Sequence, residues 1–355
     1  MEQHDYERLH LEMLRPYLPE CMVLLKKNGD FPLQEAGELA LYGSGARRTV
    51  KGGTGSGEVN SRFAVTVEEG LKAAGFRLTT EFWLDAYDGI IAEAKKDYLK
   101  SLRERARKNH TNMIVESMGA IMTEPEYSLS FRGTGDTAVY VLARNSGEGN
   151  DRRFVKGDIG LTDTEIRDIL DLRQRYARFM LVLNTGGPVD LSPVVNEVEN
   201  ILVLSQLGVE TGPALADVLL GKYSPSGKLT TTWAAEQDYP AIGDFGGRDD
   251  TCYREGIYVG YRYFDSAGVR PLFPFGHGLS YTEFEVGPTE AALAGGEITL
   301  RTKVKNTGSF PGKETLEVYV SKPEDRLDHP FQELVAFGKT ALLNPGEEAE
   351  TEIRC

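Results

Sequence analysis

The chain has 355 residues, of which 40% are hydrophobic and 26% charged, and a formal net charge of −14. That length suits two domains at roughly 100–200 residues each, and 16 Tyr with 15 Phe are too many for a disordered chain. The acidic balance argues against a nucleic-acid partner, because phosphate backbones demand concentrated Lys and Arg.

The opening segment, MEQHDYERLHLEML, is charged throughout and lacks the apolar run of a signal peptide. No apolar stretch approaches the roughly 18 residues of a membrane span. Cys21, Cys252 and Cys355 show no CxxC or zinc spacing, and His4, His10, His110 and His329 show no metal-ligand spacing. A soluble, cytoplasmic protein without metal or cofactor is therefore expected.

Leu39–Tyr42 reads as a buried strand entering a turn at Gly43, and Phe63–Ala74 as a helix stopped by Gly75. Glu81–Gly119 has helical spacing and mixed charge, and is read as an insertion over about 81–119. Thr137–Ala143 is a second strand. Thr162–Arg178 is a helix with Thr162 as N-cap and Glu165 at capping-box spacing. Phe179–Leu183 and Asn200–Ser205 are further strands, and Thr211–Gly221 a last helix. Apolar strands alternating with helices predict an α/β sandwich of the (α/β)6 type, with a mostly parallel sheet covered on both faces.

Tyr223–Gly287 is rich in Gly, Pro and aromatics with little periodicity. From Ile298 the chain alternates with period two (ITLRTKVKN, ETLEVYVS, ELVAFGKTALL), with turn signals at Asn306-Thr307-Gly308 and Asn344-Pro345-Gly346. This predicts part of a β-sandwich, three or four strands of the usual about seven. The expected organisation is an N-terminal arm (1–22), an α/β domain (23–240), a loop-rich connector (241–290) and an incomplete sandwich (291–355).

Two loops follow predicted parallel strands, where ligands usually sit. Gly43–Asn60 (GSGARRTVKGGTGSGEVN) is neither a Walker A loop nor GxGxxG. A nucleotide site, a site for a hydroxyl-rich ligand and a structural turn all stay open for it. Arg144–Arg152 (RNSGEGNDR) sets Glu148 between two glycines. A carboxyl there, partly desolvated by a docked partner, has the means to act as a general acid.

Seven motifs in order give the chain a resemblance to glycoside hydrolase family 3, which includes many β-glucosidases. They are VLLKKNGDFPL (Val23–Leu33), TVKGGTGSGEVN (Thr49–Asn60), SGEGNDR (Ser146–Arg152), LVLNTGGPVDL (Leu181–Leu191), GKYSPSGKLTTTW (Gly221–Trp233), YREGIYVGYRYFD (Tyr253–Asp265) and PLFPFGHGLSYTEF (Pro271–Phe284). The segment KETLEVYVSKPEDRLDHPFQELVAFGKTALLNPGE resembles the family's fibronectin-III-like domain.

The resemblance implies a retaining exo-β-glycosidase, foremost a β-glucosidase, acting on β-linked glycosides. Glu148 matches the family's acid/base Glu, while the nucleophilic Asp belongs to a (β/α)8 barrel. No SDW motif occurs here, so the barrel is expected on a missing segment or a partner subunit, as in members whose sandwich domain comes first. Lys51 and Thr54 are candidates for substrate hydroxyls, and Asp151 and Arg152 for a local ion pair holding the Glu148 loop. His277 reads as a hydrogen-bonded structural group, and the aromatics of YREGIYVGYRYFD as packing residues able to meet sugar rings. A non-catalytic carbohydrate-binding protein and a β-xylosidase are the alternatives, and the oligomeric state is open.

Overall fold

The computed structural model describes residues 4–57, 59–117, 122–145, 152–240, 250, 253–323 and 326–355. They form two compact units, one of Met1–Leu11 and Glu35–Ala216, the other of Glu12–Gln34 and Asp217–Cys355.

The chain begins with helix α1 (Asp5–Leu14) and strand β1 (Val23–Lys26). Next come β2 (Glu38–Tyr42), α2 (Val67–Ala73), β3 (Arg77–Leu78), α3 (Glu81–Lys108), α4 (Met113–Ser117) and β4 (Thr137–Arg144). α5 (Asp163–Arg175), β5 (Arg178–Thr185), β6 (Ile201–Val203) and α6 (Thr211–Leu219) follow. The strands of the first unit pair in parallel in the order β6-β5-β4-β2-β3. Tyr42 lies opposite Tyr140, and Leu183 opposite both Leu142 and Val203. β4 and β5 are buried almost end to end, because their sequences are apolar at successive positions and both sheet faces are covered. Each such Val or Leu contributes about 1.5–3 kcal/mol of burial.

Helix boundaries follow caps. α5 begins with the capping box foreseen at Thr162 and Glu165. α2 starts later than the apolar run from Phe63 predicts. Thr66 forms a second capping box with Glu69, and Val65 is held outside the helix by its N–H bond to the Val209 carbonyl, 3.0 Å. Gly75 takes φ +96° and ends α2 in a Schellman turn, with its own N–H on Lys72 and that of Phe76 on Leu71. No helix among the described residues is long and apolar enough to cross a membrane.

In the second unit, β1 meets the motif near His277 through an antiparallel bridge between Leu24 and Leu279. A short helix, α7 (Tyr261–Ala267), interrupts the stretch read as lacking periodicity. Strands β7 (Phe284–Val286), β8 (Glu290–Ala294), β9 (Glu297–Asn306), β10 (Thr315–Val320), β11 (Glu333–Lys339) and β12 (Glu348–Arg354) complete it. β9 pairs antiparallel with β7, β8 and β12, and β10 with β11. Asn306, from the predicted turn, is fully buried. Its amide donates to the carbonyls of Phe310 (2.7 Å) and Leu343 (2.8 Å), while its Oδ1 accepts from Thr282 Oγ1 (2.6 Å). That side chain thus closes a turn and pins the small β core at once.

Candidate active site

The candidate residues lie on the segments that follow β2 and β4, and the ends of β5 and β6 adjoin the first of these. After β2 the chain turns at Gly43, with φ +93°. A Cβ there would come within 2.4 Å of the Val141 carbonyl oxygen, so only glycine lets this loop cross β4. Gly45 N–H then donates to that carbonyl at 2.8 Å. Thr49 Oγ1 donates to the Gly45 carbonyl and accepts from Val67 N, both at 2.8 Å, which ties the loop to the start of α2.

Asn184, fully buried near the end of β5, holds the same loop from the other side. Its Oδ1 accepts from Val50 N (2.6 Å), and its Nδ2 donates to the carbonyls of Val50 (2.9 Å) and Ser205 (2.7 Å). Sequence reasoning passed over it, although a carboxamide near the end of the apolar run LVLN was a visible signal. Lys51 turns inward along its own loop, donating to the Val59 carbonyl (2.5 Å) and Ser61 Oγ (2.7 Å). Thr54 Oγ1 is buried without a hydrogen-bond partner among the described residues. Lys51 thus finds its partners within its own loop, and the Thr54 hydroxyl finds none among the described residues.

Glu148 and Asp151 lie outside the described residues. The residues on either side of them are held by hydrogen bonds and ion pairs. Arg144, buried at the end of β4, donates through Nε to the Asp158 carbonyl (2.8 Å) and through Nη2 to Glu165 Oε2 (2.6 Å). Burial works against its charge, but the Glu165 carboxylate outweighs that and raises its pKa. Arg152 on the return stem is paired with Asp158. Asp158, in the following turn, is a partner of Arg152 that sequence reasoning missed.

A second acid with a perturbed carboxyl, Glu124, feels the charge of the Arg144–Glu165 pair. Burial, reinforced by the neighbouring Glu165 charge, raises the pKa of Glu124, which accepts a hydrogen bond from the Tyr87 hydroxyl. The Arg48 guanidinium stacks 4.7 Å from the Tyr87 ring centre. Arg48 and Tyr87 thereby connect the Gly43–Asn60 loop and α3 to Glu124.

In the second unit, His277 donates from Nε2 to the Leu25 carbonyl at 2.9 Å, and burial lowers its pKa. From YREGIYVGYRYFD, Phe264 is buried. Tyr261 packs on Phe275 with ring centres 4.8 Å apart, and its hydroxyl accepts from Leu334 N at 2.8 Å. No group of three or more His, Cys, Asp and Glu able to hold a metal occurs among the described residues.

Residues 22–281 match the glycosyl hydrolase family 3 C-terminal domain, and residues 314–355 a fibronectin type III-like domain. Beta-glucosidase A of Butyrivibrio fibrisolvens is 33% identical over 97% of this chain, which covers 45% of that protein. The beta-glucosidase of Ruminococcus albus is 34% identical over 96% of this chain, covering 35% of it. The solved structure of beta-glucosidase 3B from Thermotoga neapolitana in complex with glucose is similar with a TM-score of 0.82 at 37% identity, over 99% of this chain and 49% of that one. The chain thus spans less than half the length of these relatives. An α/β domain followed by a fibronectin-like sandwich, and a domain match over most of the length, bear out the resemblance in the motifs: the chain belongs to glycosyl hydrolase family 3.

Proposed function

We propose that this chain supplies the acid/base half of a retaining exo-β-glycosidase active site, with Glu148 as the proton donor and β-glucosides as substrates. The observation that supports the reading is that SGEGNDR follows central strand β4 directly in the chain, and that the described arginines before Glu148 and after it, Arg144 and Arg152, are each held by a carboxylate. The C-terminal end of a strand is where an α/β sheet offers a side chain to a ligand or a neighbouring domain. The names of the relatives, beta-glucosidases, support a glucoside rather than a xyloside.

Retention requires two carboxyl groups about 5–5.5 Å apart. One attacks the anomeric carbon while the other protonates the leaving oxygen, then deprotonates the water that releases the sugar. Glu148 takes the second role. The attacking Asp comes from a (β/α)8 barrel on a further segment or a partner subunit. Docking of that barrel desolvates Glu148 and raises its pKa, so that it is protonated when substrate arrives. The Gly43–Asn60 loop, including Thr54, faces the aglycone side.

The test is Glu148→Gln in the enzyme that unites this chain with its barrel. The value of kcat/KM should fall far more for cellobiose, a poor leaving group, than for 2,4-dinitrophenyl β-glucoside, which departs without a proton. Azide should restore turnover of the activated substrate and yield β-glucosyl azide. Equal losses on both substrates, without azide rescue, would reject the assignment.

A further inference from the structure

We propose that Asp158 is a positioning residue for the acid/base step, clasping together the two stems from which the Glu148 span departs and returns. The proposal rests on Glu148 being the proton donor. Asp158 is 2% exposed, and its acceptors divide between the stems. From the outgoing stem, Arg144 Nε donates to the Asp158 carbonyl at 2.8 Å. From the returning stem, Arg152 Nε donates to Oδ1, Arg152 Nη2 to the carbonyl (3.1 Å) and Arg153 N to Oδ2 (2.7 Å). The carboxylate therefore holds the returning stem, and the main-chain oxygen of the same residue joins Arg152 to Arg144.

The clasp is anchored on three sides. Arg144 Nη2 is fixed by Glu165 Oε2 at 2.6 Å, and that same oxygen accepts Thr162 N at 2.9 Å in the capping box of α5. The turn bearing Asp158 is bonded to Asp190 after β5, whose N–H meets the Ile159 carbonyl at 2.9 Å. It is also bonded to residue 124, whose N–H meets the Gly157 carbonyl at 3.2 Å. Strand β4, helix α5 and the segment after β5 thus converge on one aspartate. Charge-assisted bonds made out of water are short and directional, and a proton donor displaced by about 1 Å can lose about 10²-fold in rate. The arrangement matches what proton transfer needs, namely fixed ends for the segment that carries the donor carboxyl.

The test uses the enzyme uniting this chain with its barrel and compares Asp158→Asn and Arg152→Lys with Glu148→Gln. The readout is kcat/KM, which reports the glycosylation step, on cellobiose and on 2,4-dinitrophenyl β-glucoside. Asp158→Asn should lower kcat/KM on cellobiose by about 10²-fold, with a much smaller loss on the activated substrate and a displaced alkaline limb of the pH profile. Arg152→Lys, which keeps the charge but loses the fork, should fall between it and the parent. It also carries the test if Asp158→Asn does not fold. Equal losses on the two substrates, or none, while Glu148→Gln stays selective, would overturn the clasp and leave the reading of Glu148 standing. A Glu148→Gln variant that is itself unselective would remove the reading and the clasp together.

Discussion

Asp168 lies on α5 with no exposed surface, and burial pushes its carboxyl up to about 6 although Arg167 Nη2 donates to Oδ1 at 2.6 Å. The guanidinium is half in water and cannot restore what burial removes. Between the ordinary value of 3.8 and about 6, the folded chain holds a proton that the unfolded chain has released. This contribution is therefore favourable at low pH and is lost as pH rises through that window. Asp168→Asn removes the ionisation. Urea unfolding should show the variant gaining on the parent from pH 4 to 6.5, ending on the order of 1–3 kcal/mol more stable. A stability difference that does not change with pH would mean that the carboxyl ionises at its ordinary value. Glu124, raised by burial in the same unit, shifts in the same direction and stays in both proteins, so the comparison isolates Asp168.

At the level of elements, two helices begin with the same device in different surroundings. In α2, Thr66 accepts from Glu69 N at 3.2 Å, and Glu69 Oε2 accepts Thr66 N at 2.8 Å near solvent. In α5, Thr162 and Glu165 are both buried, and the Glu165 oxygen that closes the box also holds Arg144. Water can replace a lost cap at Thr66 but not at Thr162, where orphaned groups bear the full desolvation cost. Thr162→Ala should therefore cost about 2 kcal/mol and Thr66→Ala about 0.5–1 kcal/mol, read from denaturant midpoints. Equal costs would show that burial and the Arg144 link add nothing. The same comparison explains what was legible in the sequence. The box of α5 stood directly before a helical pattern and was found. That of α2 was hidden because Phe63, Ala64 and Val65 extend the apolar run upstream. Helix α7 escaped notice because its seven residues are too few for a period to emerge.

For the whole molecule, what is local in sequence was legible and what is brought together by folding was not. β4 and β5 declared themselves by unbroken apolar runs, and the motif order identified the family. Asn184 and Glu124 did not, since each acts on partners that only folding gathers: Asn184 holds Val50 across 134 residues of sequence. Asp158 was missed for another reason, because no periodicity marks the turn that folds it back onto Arg152 and Arg153. The same distinction bears on activity. Retaining hydrolysis divides its work between two carboxyl groups about 5–5.5 Å apart, and under the proposed reading this chain contributes only the proton donor. Proton donation without a nucleophile leaves the glycosidic bond with no covalent intermediate to form, so neither carboxyl suffices alone. The 355-residue chain by itself should fold, as its circular dichroism would report, yet release no fluorophore from 4-methylumbelliferyl β-glucoside. Addition of a barrel carrying the nucleophilic Asp should generate activity, and the same addition to a Glu148→Gln chain should give much less. Turnover by the chain alone, lost on Glu148→Gln, would instead place both carboxyl groups within these residues and remove the need for a barrel.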